Sequence, residues 1–349
     1  MTSKNHNRME QENRVTVVAP ARLHLGFMDM HGGLGRSFGS LGVAVTELAT
    51  RLTVSVSDHL QAHGPGAERA VEFAQPILEA LHLPDAVAID IDSIIPEHAG
   101  LGSGTQMALA VSAGIDRLFG TRADVAKLAC LTARGQRSGI GIGAFSEGGF
   151  LVDGGRGEAT LVPPIVARLP FPPQWRFLLI FDRASDGLHG PKEAQAFQVM
   201  PPMSAALAGD LCRRVLMQLL PALKEEAFSN FCDAVTFIQE RVGDQFAGFQ
   251  GGRYASRHVA GVLAWLRDQG VAGLGQSSWG PTGFALCESA SVADRLLRLA
   301  QDRFRTTPAL SFRTVRANNA GAEIELVEGK RTGSVARRAV PAQAHVSSS

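Results

Sequence analysis

The stretch Pro96-Glu97-His98-Ala99-Gly100-Leu101-Gly102-Ser103-Gly104-Thr105-Gln106 runs straight into the apolar-periodic segment Met107 to Phe119. A glycine-rich turn delivered onto a helix N-terminus admits few folds and invites one kind of ligand. The glycines let the backbone approach a phosphate closely, and the unpaired first-turn N–H groups at the positive end of the helix dipole favour negative charge. A tight strand-to-helix connection would use the same residues, so the loop gains weight from what surrounds it. Neither common nucleotide fingerprint fits. No Lys follows the glycines as in G-x-x-x-x-G-K-[ST], and the spacing is not that of G-x-G-x-x-G with an acidic residue at the next strand end.

The 349 residues suffice for a large core and suggest two domains. Lys and Arg number 34 against 33 Asp and Glu, and no basic cluster interleaves with aromatics, so nucleic acid is not expected as a partner. Local charge must therefore do any phosphate recognition. Cys130, Cys212, Cys232 and Cys287 lie far apart with no C-x-x-C spacing, which suits a reducing compartment better than a disulfide or zinc scaffold. The polar start (Met1 to Asn13) lacks an apolar leader and no apolar run reaches the ~20 residues of a membrane span, so a cytoplasmic protein with no membrane contact is expected.

Val15 to Ala19, Gly42 to Thr46 and Arg51 to Ser57 read as early strands. Helical spacing follows over Ala70 to Leu81, then a strand over Ala86 to Ile91, the loop with its helix from about Thr105 to Phe119, and a helix over Ala123 to Arg134. Gly148 to Asp153 resumes as a strand. The proline-dense run Val162 to Pro173 predicts an interdomain connection, because proline donates nothing to a ladder. Beyond it come a strand (Trp175 to Phe181), helices (Met203 to Leu219, Ala222 to Glu240, Ala255 to Asp268), a short strand (Phe284 to Cys287), a helix (Val292 to Phe304) and two closing strands (Leu310 to Arg316, Glu323 to Val327). The expected division is a disordered tail over 1–13, domains over 14–165 and 166–328, and a disordered tail over 329–349.

Five clusters carry chemistry-bearing residues. In Arg22-Leu23-His24, directly after Pro20, alternation points a cation and an imidazole into one space. Asp29 and His31 stand beside glycines, a set that serves either a metal or a turn. Glu97-His98 precede the glycine loop, where Glu97 serves a substrate, a magnesium ion or a cap. Arg137-Ser138-Gly139-Ile140-Gly141, with Glu147 and Asp153 downstream, is denser in glycine than a turn needs. Asp182 to Gly190 follows a strand end, where ligand loops often lie, and Gly273 to Gly283 sets Ser277 and Ser278 beside Trp279, a nest next to an aromatic wall.

Taken in order, the motif at Arg22, the P-x-x-x-G-L-G-S loop at Pro96 and the glycine-rich segment at Gly273 resemble the three motifs of the GHMP kinase superfamily. More closely, R-L-H-L-G-F-M-D-M-H-G, R-S-G-I-G-I-G-A-F-S-E-G-G-F-L-V-D-G-G and G-Q-S-S-W-G-P-T-G resemble the β-ribofuranosylaminobenzene 5′-phosphate synthase family, over about Val15 to Val327. The resemblance implies an α+β, two-domain GHMP-kinase-like fold, with a ribosomal-protein-S5-domain-2-like N-terminal domain and a ferredoxin-like C-terminal domain. It implies joining of 4-aminobenzoate to phosphoribosyl pyrophosphate with release of CO2 and pyrophosphate, in tetrahydromethanopterin biosynthesis, with Mg2+ as cofactor. A homodimer is compatible with it. Many GHMP kinases carry Ser-Gly-Val-Asp where this chain has Ser138-Gly139-Ile140-Gly141, and a glycine supplies no carboxylate.

On that resemblance Arg22, His24 and Asp29 are the expected catalytic residues. The substrate is expected on Glu97, Gly100, Gly102, Ser103, Gly104, Thr105, Arg183, Ser277, Ser278 and Trp279, and magnesium on Asp29 and Glu97. An ATP-dependent GHMP-type kinase and a catalytically silent GHMP-fold ligand sensor are the alternatives.

Overall fold

The structure, a computed structural model, describes residues 13–185, 187 and 190–327. The expected tails fall outside these apart from Asn13, as do Asp186, Leu188 and His189. The chain opens on β1 (Arg14–Asp29) and β2 (Phe38–Val56), paired antiparallel. Both are longer than the sequence pattern predicts. Pro20 and Gly26 end no strand and instead sit at register shifts between Pro20 and Ala21 and between His24 and Gly26. Such shifts bend and twist a strand, which lets one strand serve two cores. Val15, Val17 and Ala19 lie in a core shared with helices, whereas Ala21, Leu23, Leu25 and Phe27 enter a core shared with the second half of the chain.

After β3 (Gln61–His63), α1 (Ala67–Ala80) crosses to β4 (Val87–Ser93), parallel to β3. The glycine loop then starts α2 (Ser103–Phe119), followed by α3 (Val125–Leu131), α4 (Ile140–Ser146), β5 (Phe150–Asp153) and β6 (Ile165–Leu169). The second half runs β7 (Arg176–Asp182), α5 (Gly190–Val199), α6 (Ala205–Arg214), a π-turn (Val215–Leu219), α7 (Leu220–Lys224), α8 (Phe228–Gln250) and α9 (Arg257–Asp268). It closes with β8 (Leu274–Gln276), β9 (Gly283–Cys287), α10 (Ala290–Arg303), β10 (Leu310–Val315) and β11 (Glu323–Val327).

The first sheet has seven strands in the order β11-β1-β2-β4-β3, with β5 on β2 and β6 on β5. The second has four, in the order β10-β7-β9-β8, all antiparallel. A β-α-β-β-α-β run in that order is the ferredoxin-like arrangement. Proline-flanked β6 lies within the expected interdomain connection but pairs with β5, and β11 returns from the second half to pair with β1. The halves are thus tied at both ends. Leu23, Val43 and Phe150 of the first sheet share a core with Phe177, Leu179 and Phe284 of the second. Among the described residues no helix is long and apolar enough to cross a membrane.

Candidate active site

Three loops converge above the junction of the two sheets, and glycine is what lets them touch. A Cβ on Gly100 (φ +75°) would overlap the Ser277 carbonyl oxygen and stand 2.8 Å from Gly280 Cα, while one on Gly187 would stand 2.6 Å from Gly280 Cα. The glycine loop, the loop after β7 and the loop after β8 therefore meet backbone to backbone. Hydrogen bonds lock the joint. Ser277 Oγ donates to the Gly100 carbonyl at 2.7 Å and accepts from the His24 amide at 3.0 Å. The Ser278 amide donates to the His24 carbonyl at 3.1 Å, and the Arg22 amide to the Leu101 carbonyl at 3.1 Å. Beneath them Gln239 accepts from the Gln276 amide and donates to the Leu25 carbonyl, both at 2.7 Å. Ser277, expected on the substrate, is wholly buried and acts as a strut between the halves.

Beside this joint lies a cleft with two lobes of about 450 and 280 Å³, which share Arg22, Thr105, Arg134, Glu193 and Ser278. The larger lobe rests on the start of α2. Gly102 (φ +83°) precedes that helix and no side chain caps it, so the first-turn N–H groups are left for a ligand. A Cβ on Gly104 would meet Arg69 Nη2 at 3.0 Å and Arg134 Nη1 at 3.5 Å, so its bare backbone makes room for two guanidiniums. Burial and the neighbouring Arg69 both push the Arg134 pKa down. Arg22, whose Nη1 donates to the Gly100 carbonyl, is half-buried, and burial against the pull of Glu193 brings its pKa down to about 10. It stays cationic at neutral pH. Crowded, partly dehydrated cations over a helix N-terminus form an anion site, and guanidiniums suit phosphate oxygens through their paired donors.

The smaller lobe is lined by His24, Phe27, Arg137, Ser138 and Gly141. His24 is 3% exposed, and neither ring nitrogen has a hydrogen-bond partner among the described residues. Burial first and the Arg22 charge second bring its pKa down to about 3, so the ring is neutral at physiological pH and offers one donor and one acceptor. The linkage sign follows. The unfolded chain binds this proton below the ordinary value of about 6.5 and the native state does not until about 3, so stability falls as pH drops through that window. Lowering pH from 7 to 5 should cost roughly 2 kcal/mol through this group. Urea midpoints at both values should show a smaller drop for His24→Gln, and equal drops would remove His24 as the source.

The remaining expected residues divide. Gly100, Gly102, Ser103, Gly104, Thr105, Glu97, Ser278 and Trp279 all line the larger lobe. Trp279 stacks on Phe246 with ring centroids 3.9 Å apart, so only part of it serves as a wall. Asp29 lies elsewhere. It lines neither lobe, and its Oδ1 accepts from the His31 and Gly32 amides at 2.7 and 3.0 Å, an Asx turn at the end of β1. Arg183 also lies outside both lobes, and its Nη2 donates to the Pro308 carbonyl at 2.7 Å. Asp153 is structural too. Its carboxylate accepts from the Ser40, Gly139 and Gly155 amides and from the Ser138 hydroxyl, pinning the start of α4 to β5.

Arg69, Arg134 and Glu193 were not singled out by the sequence pattern. Arg69 pairs with Glu97, and Arg137 with Glu193 at 3.0 Å. The one available signal was the run Arg134-Gly135-Gln136-Arg137 ahead of the glycines. Among the described residues no three His, Cys, Asp or Glu side chains converge as a metal cage.

The two sheets and the glycine loop define a GHMP-kinase-fold protein: the GHMP kinases N terminal domain matches residues 67–149 and the GHMP kinases C terminal domain residues 219–305. A beta-ribofuranosylphenol 5′-phosphate synthase of Archaeoglobus fulgidus is 30% identical over 322 residues, covering 88% of this chain and 98% of that one. The chain belongs to the beta-ribofuranosylphenol 5′-phosphate synthase family. A 4-diphosphocytidyl-2-C-methyl-D-erythritol kinase of Thermus thermophilus is 30% identical over 285 residues, 76% of this chain and 98% of that one. Among solved structures, mevalonate diphosphate decarboxylase of Staphylococcus aureus superposes with a TM-score of 0.62 at 14% identity, covering 91% and 99% of the two chains, a likeness of fold.

Proposed function

We propose that this synthase condenses 4-aminobenzoate with phosphoribosyl pyrophosphate, releasing CO2 and pyrophosphate, as a step of tetrahydromethanopterin biosynthesis. One observation carries the proposal: a lobe of three arginines over an uncapped helix N-terminus opens into a lobe holding an aromatic ring and a neutral imidazole. The bond from ribose carbon 1 to the diphosphate breaks, and its electron pair leaves with pyrophosphate. The ring carbon para to the amino group, which bears the carboxylate, attacks carbon 1. The carbon–carboxylate bond then breaks, CO2 departs, and its electrons restore the aromatic ring. No proton leaves that carbon, so the site needs anion stabilisation and alignment more than a base.

Arg22, Arg69, Arg134 and the amides of Ser103 to Thr105 face the growing charge on the diphosphate. His24 serves as a neutral hydrogen-bonding group, not a general acid, because its pKa of about 3 leaves it unprotonated near neutrality. Magnesium fits this cleft as an ion carried on substrate phosphates, since it ordinarily takes one or two carboxylates plus phosphate oxygens and Glu97 and Glu193 both line the larger lobe. It would neutralise charge on the leaving group. Asp29, turned into its own loop, does not belong to that donor set.

The Archaeoglobus relative's name specifies a phenol, which makes 4-hydroxybenzoate the competing acceptor. The Thermus relative favours a kinase. Against that stands Gly141, which lines the smaller lobe with no carboxylate and whose Cβ would press on Thr105 Cγ2 at 3.0 Å. Purified protein given magnesium, phosphoribosyl pyrophosphate and either carboxyl-labelled acid should release labelled CO2 only when the donor is present. ATP consumption against an alcohol panel, without CO2, would replace the synthase with a kinase.

A further inference from the structure

We infer that the smaller lobe is the aromatic-acid subsite and that Arg137 is its carboxylate anchor. The inference rests on the synthase reading for the identity of the acid but not for the existence of the subsite. The two lobes differ in chemistry although they share a wall. The larger one has the helix N-terminus and the Arg69–Arg134 pair over Gly104, a place for a multiply charged, flexible phosphate group. The smaller one has what a flat monocarboxylic acid needs: the Phe27 ring, a neutral imidazole and, besides Arg22 and Arg134 on the wall it shares with the larger lobe, a cation of its own, Arg137, at the edge of an aromatic cluster.

Arg137 is placed for this role by its surroundings. Its guanidinium lies 4.8 Å over the Phe197 ring, which meets Phe27 edge to face at 5.8 Å. Stacking on Phe197 holds the guanidinium plane and strips part of its hydration, which strengthens a charge-assisted pair. Its partner Glu193, 3.0 Å away, is on α5, beyond the loop that follows β7, so an incoming carboxylate competes with one side chain for the guanidinium's several donors. His24 supplies the second fixed point. Its ring is 4.7 Å from Phe27, buried, and unpartnered at both nitrogens among the described residues, which is costly unless a ligand or water completes it. An amino or hydroxyl group para to a carboxylate carries a donor and lone-pair density to such a ring while the acid end reaches a cation. This arrangement sets the acid in the lobe adjoining the diphosphate's, as a displacement at carbon 1 requires.

The test compares an acid with its neutral amide, so that a merely structural role for Arg137 leaves the readout still. Calorimetric titration of the full chain with 4-aminobenzoate and with 4-aminobenzamide, pyrophosphate present, should show the acid bound about 10- to 100-fold more tightly by the unaltered protein. Arg137→Ala should erase that preference, and Arg137→Lys should restore part of it. In turnover, Arg137→Ala should raise the KM for the acid at least 10-fold while the KM for phosphoribosyl pyrophosphate stays within about twofold. An acid-to-amide preference unchanged in Arg137→Ala, or a KM rise confined to phosphoribosyl pyrophosphate, overturns the assignment and leaves the synthase standing. Loss of preference in Arg137→Ala with no CO2 release by the unaltered protein keeps the subsite and overturns the synthase. Failure of the unaltered protein to distinguish acid from amide overturns the subsite.

Discussion

Gly100→Ala should cost on the order of 3 kcal/mol of stability and leave little activity, a far larger penalty than one methyl group ordinarily brings. Two effects add. At φ +75° a Cβ is disfavoured by about 1–2 kcal/mol, and the new methyl would overlap the Ser277 carbonyl oxygen while pressing on the Gly280 backbone. Neither neighbour is a movable side-chain tip, so the two loops must part. Parting them breaks the bond from Ser277 Oγ to the Gly100 carbonyl and disturbs His24, whose amide donates to the same hydroxyl. Gly104→Ala is the contrast. Its Cβ meets Arg69 Nη2 at 3.0 Å, the end of a flexible chain, so stability should hold while anion binding weakens. Urea unfolding of both variants measures the difference, and a Gly100→Ala protein within about 0.5 kcal/mol of the parent would mean that the joint does not hold the loops.

What the sequence revealed of this site follows the range of the interactions that build it. The start of α2 was legible because helix entry is written locally, in glycines followed by an apolar period. Arg22 and His24 were legible because alternation along one strand fixes which residues share a face, and both do reach the smaller lobe. Arg69 and Arg134 were not, since α1 and the turn after α3 bring them over Gly104 only when the helices pack. Asp29 stands apart from both lobes. Its spacing to Gly32 is that of an Asx turn, and the backbone amides claim its oxygen before any ligand does. Pro20 misled in the opposite direction, because a register shift absorbs it inside β1, and that same shift helps to carry the strand from one core into the other. Helix α5, which bears Glu193, carries weak amphipathic periodicity, so a wall of the cleft was missed.

Arg22→Ala should lower kcat/KM for phosphoribosyl pyrophosphate by about 10²- to 10³-fold while leaving the fold intact. The fold survives because the Gly100 carbonyl, which accepts from Arg22 Nη1, also accepts from Ser277 Oγ and is not orphaned by the change. What disappears is a half-buried cation that, like Arg134, lines both lobes, close to the anion site and to the acid subsite alike. Arg22→Lys returns the charge as a single compact ammonium without the fork, and should recover only part of the loss. The substrate whose KM moves more identifies the lobe that Arg22 serves. A larger rise for phosphoribosyl pyrophosphate places it on phosphate, whereas a larger rise for the aromatic acid reassigns it to the carboxylate. Removing Arg22 also lifts the smaller of the two pressures on His24, so the imidazole pKa should rise from about 3. Burial, the larger cause, remains, and the ring should stay neutral near pH 7 in the variant as well. The activity lost with Arg22 is therefore expected to persist across neutral pH, and recovery of activity at one pH within that range would mean that Arg22 acts through His24 and not on the substrate.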